Sequence, residues 1–315
     1  MSVAFIFPGQ GSQQVGMGRD LAETFSVARE VFAAVDDALG EKLSGIIWDG
    51  PIDALTLTEN AQPALMAVSM AVIRVLESEH GFDLAAHIDF VAGHSLGEYS
   101  ALAAAGAIGL GDTARLLRTR GKAMQVAVPV GEGAMAAMLG LGLEDARKLA
   151  AAAGGDDVCQ VANDNAPGQV VLSGSKAAID RAIEIASDHG ARRAIRLNVS
   201  APFHCALMAP AAEAMAAALA DVAIARPKVP LVANVSASEI SSPDDIRRRL
   251  VEQVIETVRW RESVGFMQAR GVDRLYEVGA GRVLSGLARQ IDRGLAAKQI
   301  GTVEDIGAAM SDFAI

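Results

Sequence analysis

The sequence predicts an α/β fold: a main domain with a mainly parallel sheet, interrupted by an inserted ferredoxin-like subdomain. Three observations carry that prediction. Short apolar runs alternate with helical stretches along most of the 315 residues, the order that lays helices over a parallel sheet. Between residues 128 and 199 the order changes to β-α-β-β-α-β, the split βαβ unit. At 88–104 an apolar strand runs through Gly93-His94-Ser95-Leu96-Gly97 into an alanine-rich helix. That is the context of a nucleophile elbow and makes the main domain α/β-hydrolase-like. The main domain is expected over 1–127 and 200–315, and the subdomain over 128–199.

The first strand, Val3–Phe7, ends in the loop Pro8–Gln14, and a helix with Leu21, Phe25, Ala28 and Phe32 on one face follows. The glycines of this loop match no phosphate-binding template. Gln14 stands where a dinucleotide fingerprint needs its third glycine, and Met17-Gly18 stand where a P-loop needs Lys and Ser or Thr. Two readings stay open: a plain βα turn, or a loop whose backbone N–H groups face a ligand. Thr58-Glu59-Asn60-Ala61-Gln62-Pro63 starts a helix to about Glu79, with Pro63 tolerated in the first turn. Strand 88–92 and the elbow come next. Gly93 and Gly97 bracket Ser95 because the turn is too sharp for a Cβ on either side. Composition alone would give ~0.2 copies of G-x-S-x-G in such a chain, so the flanking strand and helix carry the identification.

Asp112 reads as the cap of a helix over Thr113–Gln125. Thr113, Leu116, Leu117 and Met124 share one face with Arg120 at its centre, while Arg115, Arg118 and Lys122 fall on the opposite, solvated face. A guanidinium on a buried stripe needs an anion, either a structural carboxylate or the carboxylate of a substrate. In the subdomain the strands are Ala134–Leu139, Val158–Ala162, Gln169–Ser173 and Arg193–Val199, with helices Leu143–Ala153 and Ala177–His189. Residues 163–168, Asn-Asp-Asn-Ala-Pro-Gly, read as the turn between the middle strands. The main domain resumes with Ser200-Ala201-Pro202-Phe203-His204 and a helix to about Asp221. Strand Leu231–Val235, helices Asp245–Thr257 and Ser263–Arg270, strand Leu275–Val278 and a last helix after Gly279-Ala280-Gly281 complete the alternation.

Composition narrows the function classes. A formal charge of −10 gives no net attraction for nucleic acid or an anionic membrane. The apolar helices are broken by Arg74 and Glu213 well short of ~18 clean residues, so no membrane span is expected. Cys159 and Cys205 form no ligand cluster or paired spacing, so neither a disulfide framework nor a structural zinc site is suggested, and a reducing cytoplasm fits. The chain opens on a strand, so no signal peptide is expected.

Serine needs a base, usually histidine, and there are five. His80, His87 and His189 lie among polar neighbours at helix ends, and His94 adjoins Ser95, where the elbow turns its side chain away into local packing. His204, at the head of a helix after an apolar run, is the base by elimination. No acid partner follows from spacing. Cys205 lacks an elbow and neighbours the base candidate, which disfavours it as nucleophile.

Six stretches together resemble the malonyl-CoA:acyl-carrier-protein transacylases: Phe7-Pro-Gly-Gln-Gly-Ser-Gln13, Gly93-His-Ser-Leu-Gly-Glu98, Arg120-Gly-Lys-Ala-Met-Gln125, Asn165-Ala-Pro-Gly-Gln169, Ala201-Pro-Phe-His204 and Tyr276-Glu-Val-Gly279. They run in order over essentially the whole chain and are also similar to the acyltransferase domains of polyketide synthases. The resemblance implies a Ser95–His204 dyad, with the imidazole oriented around the position matched by Gln253 in place of an acid. It implies an oxyanion hole from the N–H groups of Gln10 and Leu96, a clasp on the malonyl carboxylate by Arg120, and further substrate contacts at Asn165 and Phe203, the latter crowding an α-methyl branch. The implied reaction moves a malonyl group from coenzyme A to the phosphopantetheine thiol of an acidic acyl carrier protein, with no metal or redox cofactor, in a monomer. Arg115, Arg118, Lys122, Arg192, Arg193 and Arg196 are the expected docking patch. The rivals are a polyketide-pathway acyltransferase with another carrier or extender unit, a serine hydrolase, and a binding module without activity; the intact Ser95, His204 and Arg120 speak against the last.

Overall fold

The structure, a computed structural model, describes residues 2–199 and 201–313. Ser200, in the segment leading to His204, lies outside the described residues. The larger sheet holds β1 (Ser2–Phe7), β2 (Phe90–Gly93), β7 (Leu231–Ala233), β8 (Ser238–Ile240), β9 (Val272–Val278) and β10 (Ala296–Ile300) in the order β10-β9-β1-β2-β7-β8. All its pairings are parallel except the β7–β8 hairpin at one edge. Its central strands are apolar on both faces because helices cover both: β1 is buried from Val3 to Phe7, and β2 throughout. The smaller sheet is antiparallel: β3 (Gly133–Leu139), β4 (Cys159–Ala166), β5 (Gln169–Ser175) and β6 (Arg193–Arg196), in the order β4-β5-β3-β6. With helices Leu143–Gly154 and Lys176–Ile185 over one face it encloses its own apolar cluster and has the ferredoxin-like arrangement.

Two close approaches set the site's frame. Helix Thr58–His80 is buried from Asn60 to Ile73 and lies against helix Leu110–Val126. Gly121 permits this, since a Cβ there would come within 2.5 Å of the Glu59 Cα. The C-terminal ends of β1 and β2 lie side by side, so the loop after Phe7 and the elbow after Gly93 share one rim, where ligands of parallel sheets bind.

Several boundaries differ from the sequence reading. The helix around Arg120 starts at Leu110 with Gly109 as its N-cap, and Asp112 pairs with Arg115 at 2.6 Å in the first turn without capping. β4 runs on through Asn163, Asp164 and Asn165, leaving the turn to Pro167-Gly168. The Asn-Asp-Asn composition signals a loop, but Asp164 is buried against Arg261 at 2.7 Å and the strand carries two register shifts, a tertiary arrangement that local propensity does not encode. β6 stops at Arg196, and the helix expected over 245–257 is Pro243–Glu252, which leaves Gln253 just past its end. After helix Val283–Ile291 the chain adds β10 and helix Val303–Phe313, neither of which the sequence reading anticipated. β10 is an edge strand whose Lys298 and Gln299 dilute its apolar pattern.

Candidate active site

The elbow is as tight as the glycines require. A Cβ on Gly93 would lie 1.9 Å from the Gly97 carbonyl carbon, and one on Gly97 would lie 2.2 Å from the Phe7 oxygen. Ser95 itself adopts φ 53°, left-handed backbone that a residue with a Cβ rarely takes and that surrounding structure must impose. Asn234 supplies part of that hold: its Oδ1 accepts from the Ser95 N–H at 2.8 Å and its Nδ2 donates to the Gly93 carbonyl at 2.7 Å. Ser95 Oγ thus stands at the head of helix Gly97–Ala104.

His204, also at positive φ (58°), brings its Nε2 to 2.8 Å from Ser95 Oγ. Its Nδ1 lies 2.8 Å from the Gln253 backbone carbonyl. A carbonyl only accepts, so Nδ1 carries the proton and Nε2 offers its lone pair to the serine hydroxyl. Burial, and then the nearby Arg120 charge, push the imidazole down to about 3, so the ring is neutral and free to accept a proton. Gln253 thus meets the imidazole through its main chain, at the ring nitrogen where hydrolase triads place a carboxylate. That explains why spacing yielded no acid.

Arg120 is buried with the dyad. Its Nη1 donates to Gln62 Oε1 at 2.8 Å, and its Nη2 to Gln253 Oε1 at 2.8 Å and to Ser95 Oγ at 3.0 Å. The guanidinium also lies over the Tyr99 ring, 5.7 Å from its centroid. Among the described residues no carboxylate pairs with it directly, and its Nε has no partner. Glu98, held by Gln253 and Asn234, acts on it only through space, and burial pushes the Glu98 carboxyl up to about 7.

Ser95, His204, Arg120 and Gln62 open into one cavity of about 350 Å³, also lined by Gln10, Leu96, Phe203, Met124 and His94. Among the described residues the backbone N–H groups of Gln10 and Leu96 have no protein acceptor. The glycine-rich loop is held in place: Gln10 is pinned by Thr58 Oγ1 at 2.8 Å, and a Cβ on Gly9 would come within 2.9 Å of the His94 oxygen. Asn165 is not on the cavity wall. Its Oδ1 meets His94 Nε2 at 2.9 Å, and it is His94 that lines the cavity, where the sequence assigned it to packing. Cys205 is buried, donates to the Pro202 carbonyl at 3.2 Å, and has its thiol pushed up by burial, which leaves no thiolate to compete with Ser95.

One of the basic residues was misplaced. Arg118 is buried, bonded to Asn60 and paired with Glu41, because helix Ser26–Leu39 packs against the side of its helix that the periodicity left to solvent. Sequence reasoning also missed Gln62, Glu98 and Asn234. The first two lie inside quoted motifs, whereas nothing local marks Asn234.

A hydroxyl with a neutral base, two free N–H groups beside it and an unpaired guanidinium in one pocket suit acyl transfer of a group that carries a negative charge. The chain matches the model of the acyl transferase domain over residues 4–296. It is 44% identical over 309 residues to the malonyl CoA-acyl carrier protein transacylase of Bacillus subtilis, covering 98% of this chain and 96% of that one. It superposes with a TM-score of 0.98 on the acyl-carrier-protein S-malonyltransferase of Bartonella henselae, at 56% identity and with 100% of both chains covered. It superposes at 0.95, with 41% identity over 99% of this chain and 100% of the other, on a malonyl-transacylase in complex with its type II polyketide-synthase acyl carrier protein. The chain belongs to the acyl transferase domain family and, within it, to the malonyl CoA-acyl carrier protein transacylases.

Proposed function

We propose that this enzyme transfers malonyl from coenzyme A to the phosphopantetheine thiol of an acyl carrier protein, through a malonyl-serine at Ser95. In the first step Ser95 Oγ gives its proton to His204 Nε2 and bonds to the thioester carbonyl carbon. The oxyanion accepts from the Gln10 and Leu96 N–H groups. The C–S bond then breaks, and the coenzyme A sulfur leaves with the proton held by His204. In the second step the carrier thiol gives its proton to His204 and attacks the ester, and Ser95 recovers its hydrogen. One thioester is exchanged for another, so no electrons are transferred and no metal or redox group is needed for balance.

The observation that carries this reading is the convergence on one oxygen: Ser95 Oγ lies 2.8 Å from His204 Nε2 and 3.0 Å from Arg120 Nη2. A two-pronged guanidinium suits a malonyl carboxylate, and binding that anion also offsets the charge that, after burial, holds His204 down. Phe203, buried beside His204 on the cavity wall, takes up the room an α-methyl branch would need. In this reading the enzyme acts as a monomer, and the two free cysteines suit a reducing cytoplasm. Incubation with malonyl-CoA and a holo carrier protein tests the reading. Malonyl-carrier should form with wild type and not with Ser95→Ala, whereas release of free malonate faster than carrier loading would point to a hydrolase.

The carrier serves fatty-acid synthesis in this reading. The relative seen with a polyketide-synthase carrier favours a second one, the same chemistry in a polyketide pathway, and comparing turnover with the two kinds of carrier separates them. Docking is assigned to the exposed members of the expected patch, Arg115, Lys122, Arg192, Arg193 and Arg196, of which Arg196 is partly offset by its pair with Asp180.

A further inference from the structure

Glu98 lies fully buried under the elbow, and no step of the transfer touches it. Its Oε2 accepts from the Asn234 N–H at 3.0 Å and from Gln253 Nε2 at 2.9 Å. Gln253 Nε2 also donates to the Ser95 carbonyl at 2.9 Å, while its Oε1 accepts from Arg120 Nη2 at 2.8 Å. A side-chain amide has two orientations, and only one serves here. Turned over, it would set Nε2–H against the guanidinium N–H and its oxygen against the Glu98 carboxylate, making both contacts repulsive. Guanidinium, amide and the accepting Glu98 oxygen thus form a chain polarised in one direction, with Gln253 between its two ends.

We propose that Glu98 is a positioning residue for acyl selection: by holding the Gln253 amide in this orientation it aims the Arg120 guanidinium at Ser95, and so sets the preference for an acyl group ending in a carboxylate. The inference rests on the role proposed for Arg120. The competing account is structural, since a carboxylate in the first turn of helix Gly97–Ala104 favours that helix whatever the substrate. The two differ in what they do to an uncharged acyl group, which makes no use of Arg120.

The test measures acylation of Ser95 from malonyl-CoA and from acetyl-CoA, by intact mass against time, in wild type, E98M, E98Q and R120A. E98M removes the acceptor and should lower the malonyl-to-acetyl preference about tenfold, the size of one lost hydrogen bond to a charged group, while acetyl acylation stays within about twofold. E98Q can place an amide oxygen where Oε2 stands and should restore most of the preference. Equal losses for both acyl groups, an unchanged preference, or an E98Q as impaired as E98M would overturn the proposal. Should E98M fail to fold, Glu98→Asp, which withdraws the carboxylate by one methylene, is judged by the same criteria. R120A separates the two claims. If it leaves the preference intact, the Arg120 reading fails and the inference with it; if it abolishes the preference while E98M leaves it unchanged, the inference alone fails.

Discussion

At the scale of single residues, the chemistry depends on placing one cation beside one base without letting either be satisfied. Arg120 is held by the neutral oxygens of Gln62 and Gln253, which fix its direction without pairing its charge, the charge proposed to meet the substrate. Replacing it with alanine should lower malonyl acylation by about 100-fold, from two charge-assisted bonds at ~1.5 kcal/mol each, and leave acetyl acylation nearly unchanged. The same change removes a charge that depresses His204, so an NMR titration should show the imidazole pKa rising from about 3 toward its ordinary value. His204 also predicts how stability responds to pH. Between about pH 3 and pH 6.5 the unfolded chain binds a proton there that the folded chain does not, so this group's contribution rises with pH across that window. Urea unfolding at several pH values should show a shallower rise in a His204→Gln variant; an unaltered slope would mean the ring is not held neutral by its surroundings.

At the scale of elements, the site hangs on two close backbone contacts, at the elbow and at the crossing of helices Thr58–His80 and Leu110–Val126. Gly121→Ala would force the two helices apart and should cost about 1–3 kcal/mol, read from the urea midpoint, with loss of acylation as Arg120 moves out of line. Gly97→Ala should abolish acylation, because its Cβ would collide with the Phe7 carbonyl. These elements were the legible ones. Apolar strand, paired glycines and following helix are local patterns, and the stripe around Arg120 follows from a period of 3.6 residues. The misreadings share one cause. Arg118 was assigned to solvent because periodicity reports a helix's faces but not how many of them other helices cover. Residues 163–165 were assigned to a turn because the partner that keeps Asp164 in a strand, Arg261, lies 97 positions away.

At the scale of the whole molecule, the large sheet supplies the nucleophile and the loop beside it, and the small sheet closes the cavity's other wall through Met135 and Asn163. Legibility falls off here: the order of elements implied both sheets, whereas Asn234, which grips both sides of the elbow from 139 residues away, left no trace in the sequence. Carrier docking also belongs to this scale. A chain of charge −10 meets an acidic partner only through local positive surface, so reversing Lys122, Arg192 and Arg193 together should raise the carrier KM several-fold, most at low salt, and leave acylation by malonyl-CoA unchanged. A KM insensitive to that triple change would move the docking surface elsewhere. The most direct test of the central claim is peptide-mapped mass spectrometry after brief exposure to malonyl-CoA. The account predicts one malonyl adduct, on Ser95, abundant in wild type, strongly reduced in Arg120→Ala and missing in Ser95→Ala. An adduct on any other residue, or one that forms equally well without Arg120, would contradict it.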